Sequence, residues 1–171
     1  MDLKDYIGIT EGFPKPGISW KDVSPLLANP EALRECIRLI SAWAQDKGAT
    51  LVVGPESRGF LFGCPVAYEM GLPFAMARKK GKLPGKTHAI SYQLEYGEDI
   101  IEISASCLKE GDRVLLVDDL MATGGTLLAL ETLVKNAGAE VAGIATVIEL
   151  TDFGGVNKVD APFLSLVKYP H

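Results

Sequence analysis

The sequence predicts an α/β fold with a mainly parallel central sheet flanked by helices. Short apolar segments rich in β-branched residues recur along the chain, as is typical of strands buried on both faces. Apolar residues at helical spacing separate most of these segments, and such alternation favours parallel strands joined by helices. The 171 residues are enough for one domain with a sizeable core, so we expect a single domain over residues 1–171.

The individual elements follow from local signals. Asn29, Pro30 and Glu31 combine a capping side chain, a proline at the first helical position and an acid in the first turn, which predicts a helix start. Pro65 lies inside a later apolar segment and argues against one unbroken helix there. In chain order we predict a helix after Asn29 that Gly48 ends, a strand over 50–54, an apolar segment over 60–70, strands over 74–78 and 113–119, a helix over 126–137, and strands over 140–150 and 163–169.

Residues 79–99 differ in composition from the rest of the chain. They are rich in glycine, lysine and polar residues. We expect this segment to end in a strand that pairs with the following segment, DIIEISASCL, residues 99–108.

Composition excludes several classes of function. The formal net charge of -5 argues against a nucleic-acid partner, which usually requires a basic surplus. No apolar run approaches the roughly 18 residues of a membrane span, and the first ten residues lack the apolar core of a secretory signal. The three cysteines, Cys36, Cys64 and Cys107, have no metal-like spacing. Buried, reduced thiols and a cytoplasmic location are the expected interpretation.

The motif VLLVDDLMATGGT, residues 114–126, is the most informative stretch. An apolar strand ends in two carboxylates, Asp118 and Asp119, and small residues lead into a helix. Backbone N–H groups at such a helix start attract a phosphate, whereas carboxylates repel it and instead accept bonds from hydroxyls or hold hydrated Mg²⁺. The ligand implied is a ribose phosphate. The motif lacks the spacing of a P-loop or a dinucleotide fold, and the alternative is a tight turn with acids capping the helix.

The same motif resembles the phosphoribosyl-pyrophosphate (PRPP) motif of the type I phosphoribosyltransferases. The segments FPKPGISWKDVSPLL, GPESRGFLFG, RKKGKLPG and SYQLEYG resemble, in this order, segments of the family members that act on adenine. The resemblance implies the type I phosphoribosyltransferase fold, with a small hood over residues 1–28 and a flexible lid hairpin over residues 79–99. It further implies that N9 of adenine displaces pyrophosphate from PRPP to give AMP, with Mg²⁺ as cofactor and a homodimer as the assembly.

Site residues are carried over from the resemblance position by position. Arg58 and Lys82 would act in catalysis on the pyrophosphate, and Glu95 would handle the proton near the base. The residues expected to bind PRPP and AMP are Arg58, Arg78, Lys82, Tyr96, Asp118, Asp119, Ala122, Thr123, Gly124, Gly125 and Thr126. Ser19, Trp20 and Lys21 would form the base pocket, with Trp20 standing where the family usually has phenylalanine. No protein group is expected to bind the metal directly, since Mg²⁺ would be held by PRPP and reach Asp118 or Asp119 through water. The family also implies a cis peptide at Glu56–Ser57.

Three alternatives stay open at this point. The first is a phosphoribosyltransferase for another base, such as guanine, xanthine or hypoxanthine. The second is a regulator that senses PRPP and binds nucleic acid, for which the chain lacks an obvious basic face or an extra DNA-binding domain. The third is an α/β interaction module without a nucleotide, which would leave the five ordered segments unexplained.

Overall fold

The computed structural model describes residues 1–94 and 96–171, without the side chain of Leu94. Short 3₁₀ helices occur at Leu3–Tyr6, Thr151–Phe153 and Gly155–Lys158. The strands are β1 (Gly8–Glu11), β2 (Ser19–Asp22), β3 (Leu51–Pro55), β4 (Phe74–Lys79), β5 (Thr87–Leu94), β6 (Gly97–Ser104), β7 (Arg113–Met121), β8 (Glu140–Leu150) and β9 (Phe163–Tyr169). The helices are α1 (Ser24–Ala28), α2 (Pro30–Ala44), α3 (Arg58–Met70) and α4 (Gly125–Asn136).

A seven-stranded sheet in the order β5-β6-β4-β3-β7-β8-β9 forms the centre of the fold. The strands β4, β3, β7, β8 and β9 run parallel, and β6 and β5 continue the sheet as an antiparallel hairpin. The prediction of a mainly parallel sheet is therefore confirmed. So is the pairing of the polar segment with the strand that follows it. The strands β1 and β2 form a separate antiparallel hairpin.

Helices cover both faces of the sheet, and β7 shows why its sequence is apolar throughout. Leu115 and Val117 pack into one core cluster together with residues of α2 and α3. Val114 and Leu116 pack into a second cluster with residues of α4. Alternate side chains of a strand point to opposite faces, so a strand covered on both sides needs apolar residues at every position.

The helix predicted after Asn29 is α2, which begins as predicted but ends at Ala44, four residues before Gly48, and the prediction from Pro65 is wrong. The side chain of Asn29 accepts a hydrogen bond from the amide of Ala32 at 3.0 Å, which caps α2. Pro65 lies within α3, and the helix continues through it. The missing N–H would have bonded to the carbonyl of Leu61, and Leu61 is 44% exposed, so this turn of the helix faces solvent.

The cysteines lie in different environments. Cys36 is buried in the core, and burial raises the pKa of its thiol to about 12. Cys64 and Cys107 are exposed, so the expectation that all three are buried is wrong for these two. Cys64 lies in α3 beside a surface groove, and Cys107 lies in the turn after β6, and a thiol is small enough to be tolerated at either place. Within the described residues, no helix is long and apolar enough to cross a membrane.

Candidate active site

Three polar loops meet at one edge of the sheet. GPESRG begins in the last residues of β3, the basic segment begins at Arg78 near the end of β4, and the small-residue loop follows β7. These are three neighbouring parallel strands in the order β4-β3-β7, so their carboxyl ends lie side by side. Ligands of open parallel sheets bind at this edge.

The two aspartates lie within β7 and have different environments. The strand runs on to Met121, two residues beyond the predicted end. Asp119 is buried, with a relative exposure of 7%, whereas Asp118 is half-buried. The amide of Asp119 donates a hydrogen bond to Oδ1 of Asp118 at 2.8 Å. Adjacent positions on a strand point in different directions, which explains why the two carboxylates have different partners.

The surroundings of Asp118 shift the pKa of its carboxyl group. Burial, followed by the negative charge of Asp119, raises the pKa of Asp118 well above its ordinary value. The positive charge of Arg58 counteracts part of this rise. The site is therefore short of positive charge next to Asp118.

Arg58 contacts two separate parts of the molecule. Its Nε donates a hydrogen bond to Oδ2 of Asp119 at 2.5 Å. Its guanidinium carbon also lies 5.6 Å from the centre of the Trp20 ring, in a cation–π contact. The ring of Phe13 meets Trp20 edge-on, with 5.7 Å between the ring centres. Arg58 thus connects the β1–β2 hairpin to the carboxylates of β7.

A cavity of about 210 Å³ lies at the start of α4. Its lining consists of Arg58, Asp118, Asp119, Leu120, Ala122, Thr123, Gly124, Gly125, Thr126 and Leu127. The structure therefore brings both aspartates, Arg58 and the entire predicted phosphate loop around one space. The amino end of α4 points into this loop, so its unpaired N–H groups and helix dipole favour an anion there.

Gly155 supports this loop from below, and sequence reasoning did not identify it. Its amide donates to the carbonyl of Ala122 at 3.1 Å. A Cβ at this position would lie 2.3 Å from the same carbonyl oxygen and 2.7 Å from Sδ of Met121. Gly124, with a φ of +83°, also packs closely, since a Cβ there would lie 2.9 Å from the carbonyl oxygen of Gly155. The adjacent glycines at 154 and 155 were the only sequence signal of this contact.

The glycines of GPESRG allow close packing around the carboxylates. A Cβ at Gly54 would lie 2.9 Å from the carbonyl of Gly59 and 3.0 Å from that of Val117. A Cβ at Gly59 would lie 3.1 Å from Oδ1 of Asp118. The peptide between Glu56 and Ser57 is cis, as the family resemblance implied.

The side chain of Glu56 links this loop to the basic segment. Its Oε1 accepts a hydrogen bond from the amide of Lys79 at 2.7 Å and lies 3.5 Å from Nε of Arg78. Arg78 therefore lies beside the GPESRG loop. Further along, Glu102 accepts bonds from the amide of Gly81 at 2.9 Å and from the hydroxyl of Thr87 at 2.7 Å. These bonds fix both ends of the turn that carries the lysines.

The other predicted contacts of the basic segment and the lid are not brought to the cavity. Lys82 is exposed, and Tyr96 is 90% exposed. Neither lines the space around Asp118 and Asp119. Glu95, the predicted proton-handling residue, lies outside the described residues.

The predicted base-pocket residues occupy consecutive positions of β2 and point in two directions. Nζ of Lys21 donates to Oγ of Ser19 at 2.5 Å, and this hydroxyl donates to Oε1 of Glu11 at 2.8 Å. Trp20, between them, contacts Arg58. The side chains of Ser19 and Lys21 are thus bonded to each other, and Trp20 presents its ring to the site.

Metal ligands are scarce in this site. Among residues 1–94 and 96–171, no three or more His, Cys, Asp or Glu side chains are grouped so that they could hold a metal ion. The acidic groups of the cavity are Asp118 and Asp119, and the second is hydrogen-bonded to Arg58.

Comparison with known proteins agrees with this geometry. The model of the phosphoribosyl transferase domain family matches residues 22–166. The chain therefore belongs to the phosphoribosyltransferase family, whose members transfer a pentosyl group.

Similar proteins place it more narrowly within the family. The chain is 51% identical, over 99% of both chains, to the adenine phosphoribosyltransferase of Clostridium acetobutylicum. The crystal structure of adenine phosphoribosyltransferase from Thermoanaerobacter pseudethanolicus has a TM-score of 0.92 with 42% identity and covers 98% of both chains. That of the Saccharomyces cerevisiae enzyme, solved with adenine and an imino-altritol bisphosphate, has a TM-score of 0.91 with 35% identity and 96% coverage of both chains. The chain is a member of the adenine phosphoribosyltransferase group.

Proposed function

We propose that the protein transfers the 5-phosphoribosyl group of PRPP to N9 of adenine, giving AMP and pyrophosphate. The observation that carries this proposal is one cavity in which two aspartates of β7, an arginine and the start of α4 converge. Such a site offers acceptors for ribose hydroxyls next to donors for a phosphate. The yeast relative was crystallised with adenine, which supports adenine as the base.

The β7–α4 loop would hold the ribose 5-phosphate. Backbone N–H groups of residues 122–126 and the hydroxyls of Thr123 and Thr126 are the available donors. Asp118 and Asp119 would accept hydrogen bonds from the ribose hydroxyls. Held in this way, C1 of the ribose would face Arg58, which also lines the cavity.

The leaving pyrophosphate gains negative charge as its bond to C1 breaks, and the transition state resembles an oxocarbenium ion. Arg58 lines the cavity, and Arg78 lies beside the GPESRG loop through its contact with Glu56. We propose that these two arginines and Lys82 stabilise the departing pyrophosphate. Lys82 would have to move towards the cavity, as would Tyr96, when the lid over residues 79–99 closes on the substrate.

The base would enter beside β2, in the hood formed by residues 1–28. The Trp20 ring offers an apolar surface for a purine. The side chains of Ser19 and Lys21 are hydrogen-bonded to each other. Their backbone groups would therefore form the hydrogen bonds to the edge of the base. Glu95 is proposed as the group that takes the proton from the base. We propose that residues 1–171 form one domain, of which this hood is a part.

The residues of the site fit Mg²⁺ delivered with PRPP. Carboxylate oxygens are suitable ligands, and the raised pKa of Asp118 indicates a shortage of positive charge beside it. Two aspartates, one of them bonded to Arg58, do not make a protein cage, so substrate oxygens and water would supply most ligands. Asp118 or Asp119 would contact the ion through water. When bound, Mg²⁺ neutralises charge on the pyrophosphate.

We also propose that the protein is a homodimer. An apolar groove of about 980 Å³ lies between α2 and α3, and the exposed side chains of Leu61 and Tyr68 contribute to it. Charges of both signs surround it, namely Glu31, Arg34, Glu35, Arg38 and Glu69. A surface with both signs can pair with a second copy of itself about a two-fold axis. Sedimentation of the wild type and of Leu61→Glu tests this, and a monomeric wild type would contradict it.

The cytoplasm is the proposed location, and no nucleic-acid or membrane partner is proposed. The three unpaired cysteines suit a reducing compartment, and the net charge of -5 disfavours polyanions.

The experiment that tests the function is a product assay with PRPP and Mg²⁺. Adenine, hypoxanthine, guanine and xanthine are supplied in separate reactions. AMP formed from adenine alone is the expected result. Turnover with another base would keep the PRPP chemistry and overturn the role of the Trp20 pocket. Binding of PRPP without turnover of any base would favour the regulator.

A further inference from the structure

Tyr169, near the end of β9, connects the sheet to the hood. Its ring is half-buried beside the first core cluster. Nζ of Lys21 lies 5.2 Å from the ring centre, and Nζ of Lys4, from the first 3₁₀ helix, lies 5.1 Å from it. Two ammonium groups from different segments therefore share one aromatic ring.

Lys21 continues this connection into the β1–β2 hairpin. Its ammonium group donates to the hydroxyl of Ser19, which donates in turn to the carboxylate of Glu11. Glu11 lies opposite Ser19 in the hairpin register. The contacts run from the sheet through Tyr169 and Lys21 across both strands of the hairpin.

The hairpin forms its own two-stranded sheet, separate from the central one. Its outer ends are held by Ile7 and Val23, which directly precede β1 and directly follow β2 and are buried in the first core cluster. Between these ends, Trp20 of β2 contacts Arg58 at the start of α3, with 5.6 Å between the ring centre and the guanidinium carbon. A base that binds beside Trp20 would compete for that contact, so the contacts of Lys21 on the other side of the strand would then help to hold β2.

We propose that Tyr169 is a positioning residue for the base site: its ring holds Lys21 and thereby fixes β2, whose backbone and Trp20 receive adenine. The inference rests on the proposed function. It assigns to a residue outside the PRPP loop an effect on the base alone. Tyr169 does not line the cavity around Asp118 and Asp119.

Three variants test this. Tyr169→Leu removes the ring, Tyr169→Phe keeps it, and Phe163→Leu makes the matched aromatic loss at the other end of β9. We expect Tyr169→Leu to raise the KM for adenine about threefold to tenfold, with kcat and the KM for PRPP within about twofold of wild type. Tyr169→Phe and Phe163→Leu should resemble wild type. Parallel rises in both KM values, or none, would overturn the proposal.

Hydrogen exchange separates this inference from the proposed function. Amides of β1 and β2 should exchange faster in Tyr169→Leu than in the other two variants. Unchanged exchange of these strands would overturn the positioning role, whatever the kinetics. A wild type that does not turn over adenine would instead refute the proposed function, and the hairpin exchange would still decide whether Tyr169 holds the hood.

Discussion

Arg58 donates from Nε to Oδ2 of Asp119, across 61 positions of sequence, and joins the first turn of α3 to β7. The arginine side chain is 51% exposed, whereas that of the aspartate is 10% exposed. The buried carboxylate therefore orients a cation that remains accessible to ligand. The two aspartates therefore differ in their surroundings, because Asp118 forms no such ion pair within the described residues.

Replacing Asp119 should remove most turnover. Asp119→Asn loses the charged acceptor of Arg58 and one acceptor for the ribose. Hydrogen bonds to charged groups contribute about 1.5–3 kcal/mol, so we expect kcat/KM to fall about tenfold to a hundredfold. Steady-state kinetics measures this. Asp46→Asn, at an exposed acid outside the site, is the matched control. Near-normal activity of Asp119→Asn would refute its assigned role.

Removing the charge of Lys82 should weaken the use of PRPP more than the binding of adenine. The lysine is exposed in the structure and is proposed to reach the pyrophosphate only with the substrate bound. We expect Lys82→Met to raise the KM for PRPP about tenfold, as a roughly tenfold weaker affinity for PRPP would. Binding of each substrate is measured separately. Lys86→Met, in the same segment, should have little effect; equal losses in both variants would indicate a general charge effect instead.

Asp118 should make stability depend on pH with a definite sign. Because its pKa is raised in the folded protein, the native state binds more protons than the unfolded state, and stability falls as pH rises above the ordinary value of 3.8. Asp118→Asn removes this dependence and should be more stable than wild type at neutral pH in the absence of ligand. Melting temperatures between pH 4 and pH 8 test it. A difference that grows towards acid would contradict the raised pKa.

Adding one methyl group at Gly155 should disturb the phosphate loop. A Cβ there meets the Ala122 carbonyl at 2.3 Å, so Gly155→Ala forces backbone movement and should cost about 1–3 kcal/mol of unfolding free energy. Gly125→Ala is the control for stability, because nothing lies within 4 Å of a Cβ at that position. Denaturant unfolding measures both. Equal stability of the two variants would show that the close contact is unimportant.

Activity should require Mg²⁺. Pyrophosphate is a poor leaving group unless its charge is neutralised, and the described protein residues offer two aspartates and no metal cluster. We expect excess chelator to abolish turnover and added Mg²⁺ to restore it, with product formation as the measurement. Full activity in excess chelator would contradict the requirement for Mg²⁺.

The sequence predicted the parts of the fold that depend on local pattern. The bounds of β8 and β9 agree with prediction because both segments are mostly apolar, and β8 in particular is rich in β-branched residues. Pro65 misled the prediction because its cost depends on whether the carbonyl one turn earlier reaches water, which is a property of the tertiary structure.

The motifs predicted the residues of the site, but not the contacts that hold those residues in place. The motif located Asp118, Asp119 and the loop after them, and the structure brings these to one cavity. It gave no sign that Arg58 pairs with Asp119 or that Gly155 lies beneath Ala122. Those contacts join distant segments, and residue spacing within a motif carries no information about them.

The placement of Trp20 has a practical consequence for spectroscopy. The chain has two tryptophans, and the other one, Trp43, lies on α2 with the ammonium of Lys47 over its ring. A Trp43→Phe variant would leave a single indole, positioned 5.6 Å from Arg58. Its emission would sense both an arriving purine and any movement of that guanidinium. The protein thus carries an intrinsic fluorophore with which the order of substrate addition can be followed without a label.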